Sequence, residues 1–283
     1  MTLNRNTKLA SGETLPESVI IETNARIRER RIQFAISCIA IFIFLLLWYL
    51  AVKLQWVNPK YVATPLQVVE TFFKKFYDVT PDGSTIPVHF LASLKIVLIG
   101  FVIAIVIGIP LGLLIGYYHI ADDLISPIFE IIRPIPPLAW TPIAIIWMGL
   151  GDVSKAFLIF LASFVPCVIN SYTGIRLTSQ VRINVAKTFG ASNWEIFKTV
   201  CVPSALPMAF AGVKIAIGNA WTTVVAAELL ASSAGLGYLI QQGRTFNRSD
   251  IIIVGMFAIG ITGSIFTAIV GKLENTLVPW RKK

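Results

Sequence analysis

Val181-Arg-Ile-Asn-Val-Ala-Lys-Thr-Phe-Gly190-Ala-Ser-Asn-Trp-Glu-Ile-Phe-Lys-Thr-Val200-Cys-Val-Pro203 is a polar interruption between two long apolar runs. Val181, Val185 and Phe189 recur at the helical interval and predict a short amphipathic helix. Gly190 lets the chain turn sharply. Ser192-Asn-Trp-Glu195 then matches the capping box, in which a serine and a glutamate three residues later satisfy each other's backbone at a fresh helix start. Trp194, Phe197 and Cys201 offer a second apolar stripe, and Pro203 closes the unit and begins the next run. The spacing predicts two short helices joined at a glycine. An ordinary amphipathic connector is the plainer alternative on pattern alone.

Either side of this stretch the chain is strongly apolar. Of its 283 residues 55% are hydrophobic and only 14% charged, with a mean hydropathy of +0.75. Soluble domains carry roughly 25% charged residues, so the chain is an integral membrane protein. Six apolar stretches, 32–52, 90–117, 124–150, 154–175, 204–231 and 251–271, are each long enough for a helix across hydrocarbon. The expected organisation is all-α, with a polar arm over 1–31, a six-helix membrane domain over 32–272 that contains the loop 176–203, and a tail over 273–283. The run 32–52 is too long for a signal peptide's apolar core.

Basic residues set the orientation. Arg5, Lys8, Arg26, Arg28, Arg30 and Arg31 lie in the arm, Arg176, Arg182, Lys187 and Lys198 in the 176–200 loop, and Lys272, Arg281, Lys282 and Lys283 at the C-terminal end. The alternate segments hold fewer, so both termini and the loop are expected in the cytoplasm. The net charge of +9 is then topology, and no nucleic-acid partner is expected. Cys38, Cys167 and Cys201 show neither metal-ligand nor disulfide spacing. His89 and His119 stand near span ends and read as interfacial side chains.

In the second span Gly100, Ala104, Gly108, Gly112 and Gly116 place small residues on one face, where another backbone can approach closely; Pro110 is expected to bend that helix. Arg133-Pro-Ile-Pro-Pro137 interrupts the third span, because prolines remove helix donors and restrict the residue before them. The break serves either as a packing kink or as part of a path. Between the first two spans, Leu66, Val69, Phe72, Phe73 and Phe76 make one helical face and Gln67, Glu70, Lys74 and Lys75 the other, over 59–77. That predicts an amphipathic helix at the outer interface, ended by the Pro-Asp-Gly turn at 81–83. A turn and short outer helix are expected from Ala234 to Arg244.

The loop resembles the EAA loop of binding-protein-dependent ABC importer permeases. Asn184-Val185-Ala186 stands where that family has Glu-Ala-Ala, followed at the family's spacing by Gly190, Val200, Val202 and Pro203. Asn184 replaces the glutamate, which removes a carboxylate for an ion pair, and Val185 replaces the first alanine. The resemblance covers about residues 35–280. Arg133-Pro-Ile-Pro-Pro-Leu-Ala-Trp140-Thr-Pro142, Trp147-Met-Gly-Leu-Gly-Asp152, Ser154-Lys155, Trp221-Thr-Thr-Val-Val-Ala-Ala-Glu228-Leu and Gly235-Leu-Gly237 are similar to the branch importing taurine, alkanesulfonates, nitrate and bicarbonate. Leu277-Val-Pro-Trp280 is most similar to taurine permeases.

The resemblance implies the type I importer permease fold in a bacterial cytoplasmic membrane. It implies a second permease copy, two ATPase subunits and an extracytoplasmic binding protein as partners. Asn184, Val185, Ala186, Gly190, Ala191, Trp194, Phe197 and Pro203 would form the helix that couples to the ATPase. ATP and Mg would sit on that ATPase, with no cofactor in this chain, which has no G-x-x-x-x-G-K-[ST] phosphate cradle.

Intramembrane charge is costly and marks a functional hypothesis. Arg133 could meet an anion's oxygens in pairs, or snorkel to the interface; Lys95 and Lys214 are read as snorkelling. Glu228 either bonds a basic or backbone partner, or meets the ammonium of a zwitterionic cargo. Trp140, Asn219, Trp221, Thr222 and Thr223 complete the candidate path, with packing as the alternative for the tryptophans. The rival class is an ion-coupled secondary transporter, which predicts more intramembrane carboxylates and repeated halves. A membrane enzyme would need a nucleophile–base or metal constellation, and none is visible.

Overall fold

A computed structural model describes residues 17–58 and 61–277. Residues 1–16 of the expected arm, Pro59 and Lys60, and 278–283 with most of the taurine-like C-terminal motif lie outside the described residues. The chain divides into two compact units, residues 1–67 and 68–283.

In the first unit, α1 (Glu17–Lys53) is a single helix. Helix runs through the basic segment, past residue 31, into the span. An exposed Glu22–Arg26 pair one turn apart, at 2.7 Å, favours helix there. From Ile32 onward the helix is apolar on all sides, with Phe34, Phe42 and Phe44 exposed, as a lipid-facing span requires. Farther on, Thr64 caps α2 (Pro65–Lys74): its N–H donates to Gln67 Oε1 at 2.9 Å, and the Gln67 N–H to Thr64 Oγ1 at 3.3 Å.

The second unit is built on three long helices, α3 (Ile86–Tyr117), α6 (Asp152–Arg176) and α9 (Val202–Ala231). The small-residue face of α3 lies against α6. A Cβ at Gly100 would stand 2.5 Å from the Ala156 carbonyl and 2.8 Å from Ile159. Only a bare backbone permits that approach. Ile96, Val97, Phe101, Ile159, Cys167, Ala216, Ala220 and Val224 fill the space between the three helices. Pro110, Pro166 and Pro207 lie inside helices without breaking them.

The third apolar stretch is broken as the prolines require. Helix α4 (His119–Ile132) ends before Pro134, and a 3₁₀ turn (Pro137–Trp140) leads into α5 (Thr141–Met148). The two arms meet at 85°. Among the described residues five helices are long and apolar enough to cross a membrane, and the bent pair makes a sixth if it is one span. Helix α7 (Gln180–Thr188) and α8 (Asn193–Ile196) occupy the loop, α10 (Leu236–Thr245) follows α9, and α11 (Ser249–Leu277) is the last span. Helix α11 passes residue 272, so the first residues of the expected tail are helical.

Candidate functional site

Helix α7 ends in a Schellman motif. The Ala191 N–H donates to the Ala186 carbonyl at 3.1 Å and the Gly190 N–H to the Lys187 carbonyl at 2.9 Å. This motif needs a left-handed residue after the cap, and Gly190 supplies it at φ +80°. The capping box then starts α8. The Glu195 N–H donates to Ser192 Oγ at 3.3 Å, and the Ser192 N–H to Glu195 Oε2 at 2.7 Å. A π turn (Phe197–Cys201) carries α8 straight into α9. Pro203 therefore does not separate a loop helix from the next span. It follows the π turn inside one continuous helix, where the wider turn has the Val202 N–H reaching back to the Phe197 carbonyl, and the second loop helix is the span's own extension.

The loop has an inner and an outer side. Ile196, Phe197 and Cys201 are buried with Leu113, Ile175 and Ala205. The Phe197 ring packs on Tyr117, with centroids 5.0 Å apart, and on Trp194 at 5.5 Å. Phe197 and Cys201 thus root the loop, although the periodicity groups them with Trp194. The Tyr117 hydroxyl donates to the Asn193 carbonyl at 2.8 Å, and Arg182 Nη1 to Ser204 Oγ at 2.9 Å, tying α7 to the foot of α9. On the outer side Val181, Val185, Phe189 and Trp194 are exposed, Phe189 at 87%. Asn184 is exposed, its Oδ1 accepting from Gln180 Nε2 at 3.2 Å, while Ala186 and Ala191 are half-buried. A groove of about 590 Å³ lies between α7 and the start of α9, lined by Val185, Ala186, Val200 and Pro203 together with Arg182 and Thr199.

The path candidates divide. Arg133, Trp140 and Asn219 line one cavity of about 430 Å³, whose other walls are mainly apolar and include Phe129, Phe160 and Phe164. Arg133 Nη1 donates to Glu130 Oε1 at 2.7 Å, and Asn219 Nδ2 to the Ala162 carbonyl at 3.4 Å. Trp221 is elsewhere. Two residues along a helix is a turn of about 200°, so it faces away from Asn219, is buried, and donates from Nε1 to the Ile259 carbonyl at 2.9 Å. Thr222 bonds its own helix at the Asn219 carbonyl, and Thr223 is buried. Lys95 pairs with Asp152 at 3.3 Å, and Lys214 pairs with Glu274.

Glu228 belongs to a buried polar cluster at the end of the bundle away from the loop. It is 1% exposed. Ser93 Oγ donates to its Oε1 at 2.7 Å and the Gly237 N–H to its Oε2 at 2.8 Å. The Leu236 N–H donates to Ser93 Oγ at 2.9 Å and the Gly235 N–H to His89 Nδ1 at 3.1 Å. His89 Nε2 in turn meets Asp82, which pairs with Lys75 at 2.5 Å. Lys75 Nζ also donates to the Ser84 and Thr80 carbonyls at 2.7 and 3.0 Å. Two expectations are corrected here. Lys75 is not on the polar face of an interface helix, and His89 is not an interfacial ring. The chain from Asp78 to Ser84 folds back over both, with Asp82 reaching Lys75 on one side and His89 on the other.

The family described as a binding-protein-dependent transport system inner membrane component matches residues 108–283. The taurine transport system permease protein TauC of Escherichia coli K12 is 33% identical over 93% of this chain and 98% of its own length. A nitrate import permease protein, NrtB, of Synechocystis is 32% identical over 87% of this chain and 90% of its own. Among solved structures, an inward-facing form of the MetNI methionine ABC transporter matches with a TM-score of 0.50 at 17% identity. It covers 64% of this chain and 93% of that one.

Proposed function

We propose, from the premise that this chain belongs to the binding-protein-dependent transport system inner membrane components, that it admits taurine or an aliphatic sulfonate to the cell. The chain is a multi-pass inner-membrane protein of the type I importer fold. It is an ABC transporter permease of the taurine, nitrate and sulfonate branch, and it is not itself an enzyme. This family works with ATPase subunits and a substrate-binding protein. Membership sets aside the ion-coupled secondary transporter.

The cargo reading rests on the cavity beside the broken third span. Its walls are mainly apolar, with the Arg133 guanidinium and the Asn219 amide among them. A planar guanidinium pairs two oxygens of an oxyanion at once, and apolar walls accept a short carbon chain. Nitrate has the oxygens without the chain. It is the second reading, favoured by the likeness to the cyanobacterial nitrate permease. Arg133, Trp140 and Asn219 line the path in this reading. Trp221, Thr222, Thr223 and Glu228 shape the helices around it.

The coupling role is carried by one observation: the exposed apolar residues of the loop are held fixed, Trp194 on the extension of α9 and Val181, Val185 and Phe189 on α7, which Arg182 ties to the foot of α9. Side chains such as Phe189 and Trp194, set on a water-facing loop, call for a protein partner. The ATPase supplies it, with ATP and Mg bound there. Asn184, Val185, Ala186, Gly190, Ala191, Trp194, Phe197 and Pro203 form the unit, some by touching the ATPase and Phe197 and Pro203 by holding the loop to the bundle. Two permease copies and two ATPase subunits form the complex, with both termini and the loop in the cytoplasm and the Glu228 cluster facing out. The test is ATPase activity of the reconstituted complex with taurine, an alkanesulfonate and nitrate. Stimulation by taurine or the sulfonate alone is expected; stimulation by nitrate alone would move the second reading to first.

A further inference from the structure

We infer that His89 is an acid-sensitive latch, its neutral ring holding the entry to α10 against α3 and its protonation letting that entry go. The protonation state follows from the bonding. Nδ1 accepts from the Gly235 N–H at 3.1 Å, so Nδ1 carries no proton. The ring proton is then on Nε2, which faces the Asp82 carboxylate. A neutral imidazole has one donor and one acceptor, and both are used.

A second proton has only Nδ1 to go to. There it would point at the Gly235 N–H, donor against donor. It would also add a charge where Lys75 and Asp82 already balance. Histidine is the side chain whose ordinary value, about 6.5, lies within reach of environmental acid. The other groups facing the site are few. Tyr238 from α10 lies beside the ring, with centroids 6.1 Å apart, and Glu228 from α9 meets the site through Gly237. Leu236 and Gly237 keep their own acceptors, Ser93 and Glu228, when His89 lets go. Release is therefore confined to the turn that joins α9 to α10 and leaves the bundle intact.

The inference rests on the proposed importer role for its activity readout alone. In proteoliposomes holding the permease, its ATPase and its binding protein, substrate-stimulated ATP hydrolysis is measured with the binding-protein side at about pH 7.5 and about pH 4.5, the lower value chosen well under the ordinary one because the ring is buried. The wild type is expected to lose at least about half its stimulation in acid and to regain it on return. His89→Gln keeps an acceptor and a donor without titrating, so it should hold its stimulation at both values. Equal acid sensitivity in the two proteins would overturn the latch. A second measurement needs no activity and no His89 variant. In the permease carrying His119→Gln, His89 is the sole histidine, and its ring nitrogens can be read by ¹⁵N NMR in lipid. The Nε2–H neutral form is expected at about pH 7.5 and the imidazolium at about pH 4.5. An Nδ1–H form at the higher value, or a ring still neutral at the lower one, would overturn the inference. Lack of any stimulation at the higher value counts against the importer reading and leaves the NMR result to decide the latch.

Discussion

The two ends of the bundle solve opposite problems. At the loop end, apolar side chains stand in the open: Val181, Val185, Phe189 and Trp194 are exposed on helices fixed by local caps. At the other end, polar side chains are closed in: Lys75, His89, Ser93 and Glu228 are buried and satisfied by one another and by backbone. An exposed apolar surface contributes little to the fold that carries it and becomes useful when something covers it. A buried polar cluster is the reverse. Each member is costly when its partner is lost, so it fixes geometry within the protein. Substitutions at the two ends should therefore fail in different ways, at the buried end in stability and at the open end in coupling.

The sharpest way to break the comparison is at Asp82. Asp82→Ala strands the buried Lys75 ammonium, and thermal melting of the purified permease should show a loss of about 3–5 kcal/mol. A loss no larger than that of a surface substitution would mean the cluster is not the rigid element described. Gly235→Ala comes next. Its Cβ would fall on the Glu228 carboxyl, at a backbone φ of +130°. Strain and overlap should cost about 2 kcal/mol, read in the same melt. Ser192→Ala removes one side of the capping box at the loop, and about 1 kcal/mol is expected. Phe189→Ser should change the melt by less than about 0.5 kcal/mol and Trp194→Ser, whose ring packs on Phe197, by about 0.5–1.5 kcal/mol, while both uncouple ATP hydrolysis from uptake. If they destabilise the fold as Asp82→Ala does, the contrast between the ends disappears.

How much of this was legible follows the same division. The loop could be read because its determinants are close in sequence: Gly190 ends one helix, Ser192 and Glu195 begin the next, and the periodicity marks Val181, Val185 and Phe189. What the periodicity could not give was which stripe faces in. Phe197 and Trp194 sit on one helix, and Tyr117, some eighty residues earlier, draws Phe197 inward. The small-residue face of α3 was legible because a packed helix face repeats every turn. The cluster around Glu228 was not, because it joins His89 and Ser93 of α3 to Glu228 of α9 and to Gly235 in the turn that follows, 135 and 146 residues away in sequence. Asp82 was visible only as a turn residue and His89 only as a lone ring near a span end. Trp221 was grouped with its neighbours by sequence, and the helical turn sends it to the opposite side from Asn219.

The central claim is that the exposed apolar side of the loop is the surface the ATPase covers. The measurement that meets it most directly is the affinity of the purified ATPase subunit for the permease in lipid nanodiscs, wild type against the Phe189→Ser, Trp194→Ser double variant. Buried aromatic anchors dominate such interfaces. Affinity should fall at least about tenfold, equivalent to about 1.4 kcal/mol, with the permease still melting cooperatively as a folded protein. ATPase binding at wild-type strength to a correctly folded double variant would contradict the account.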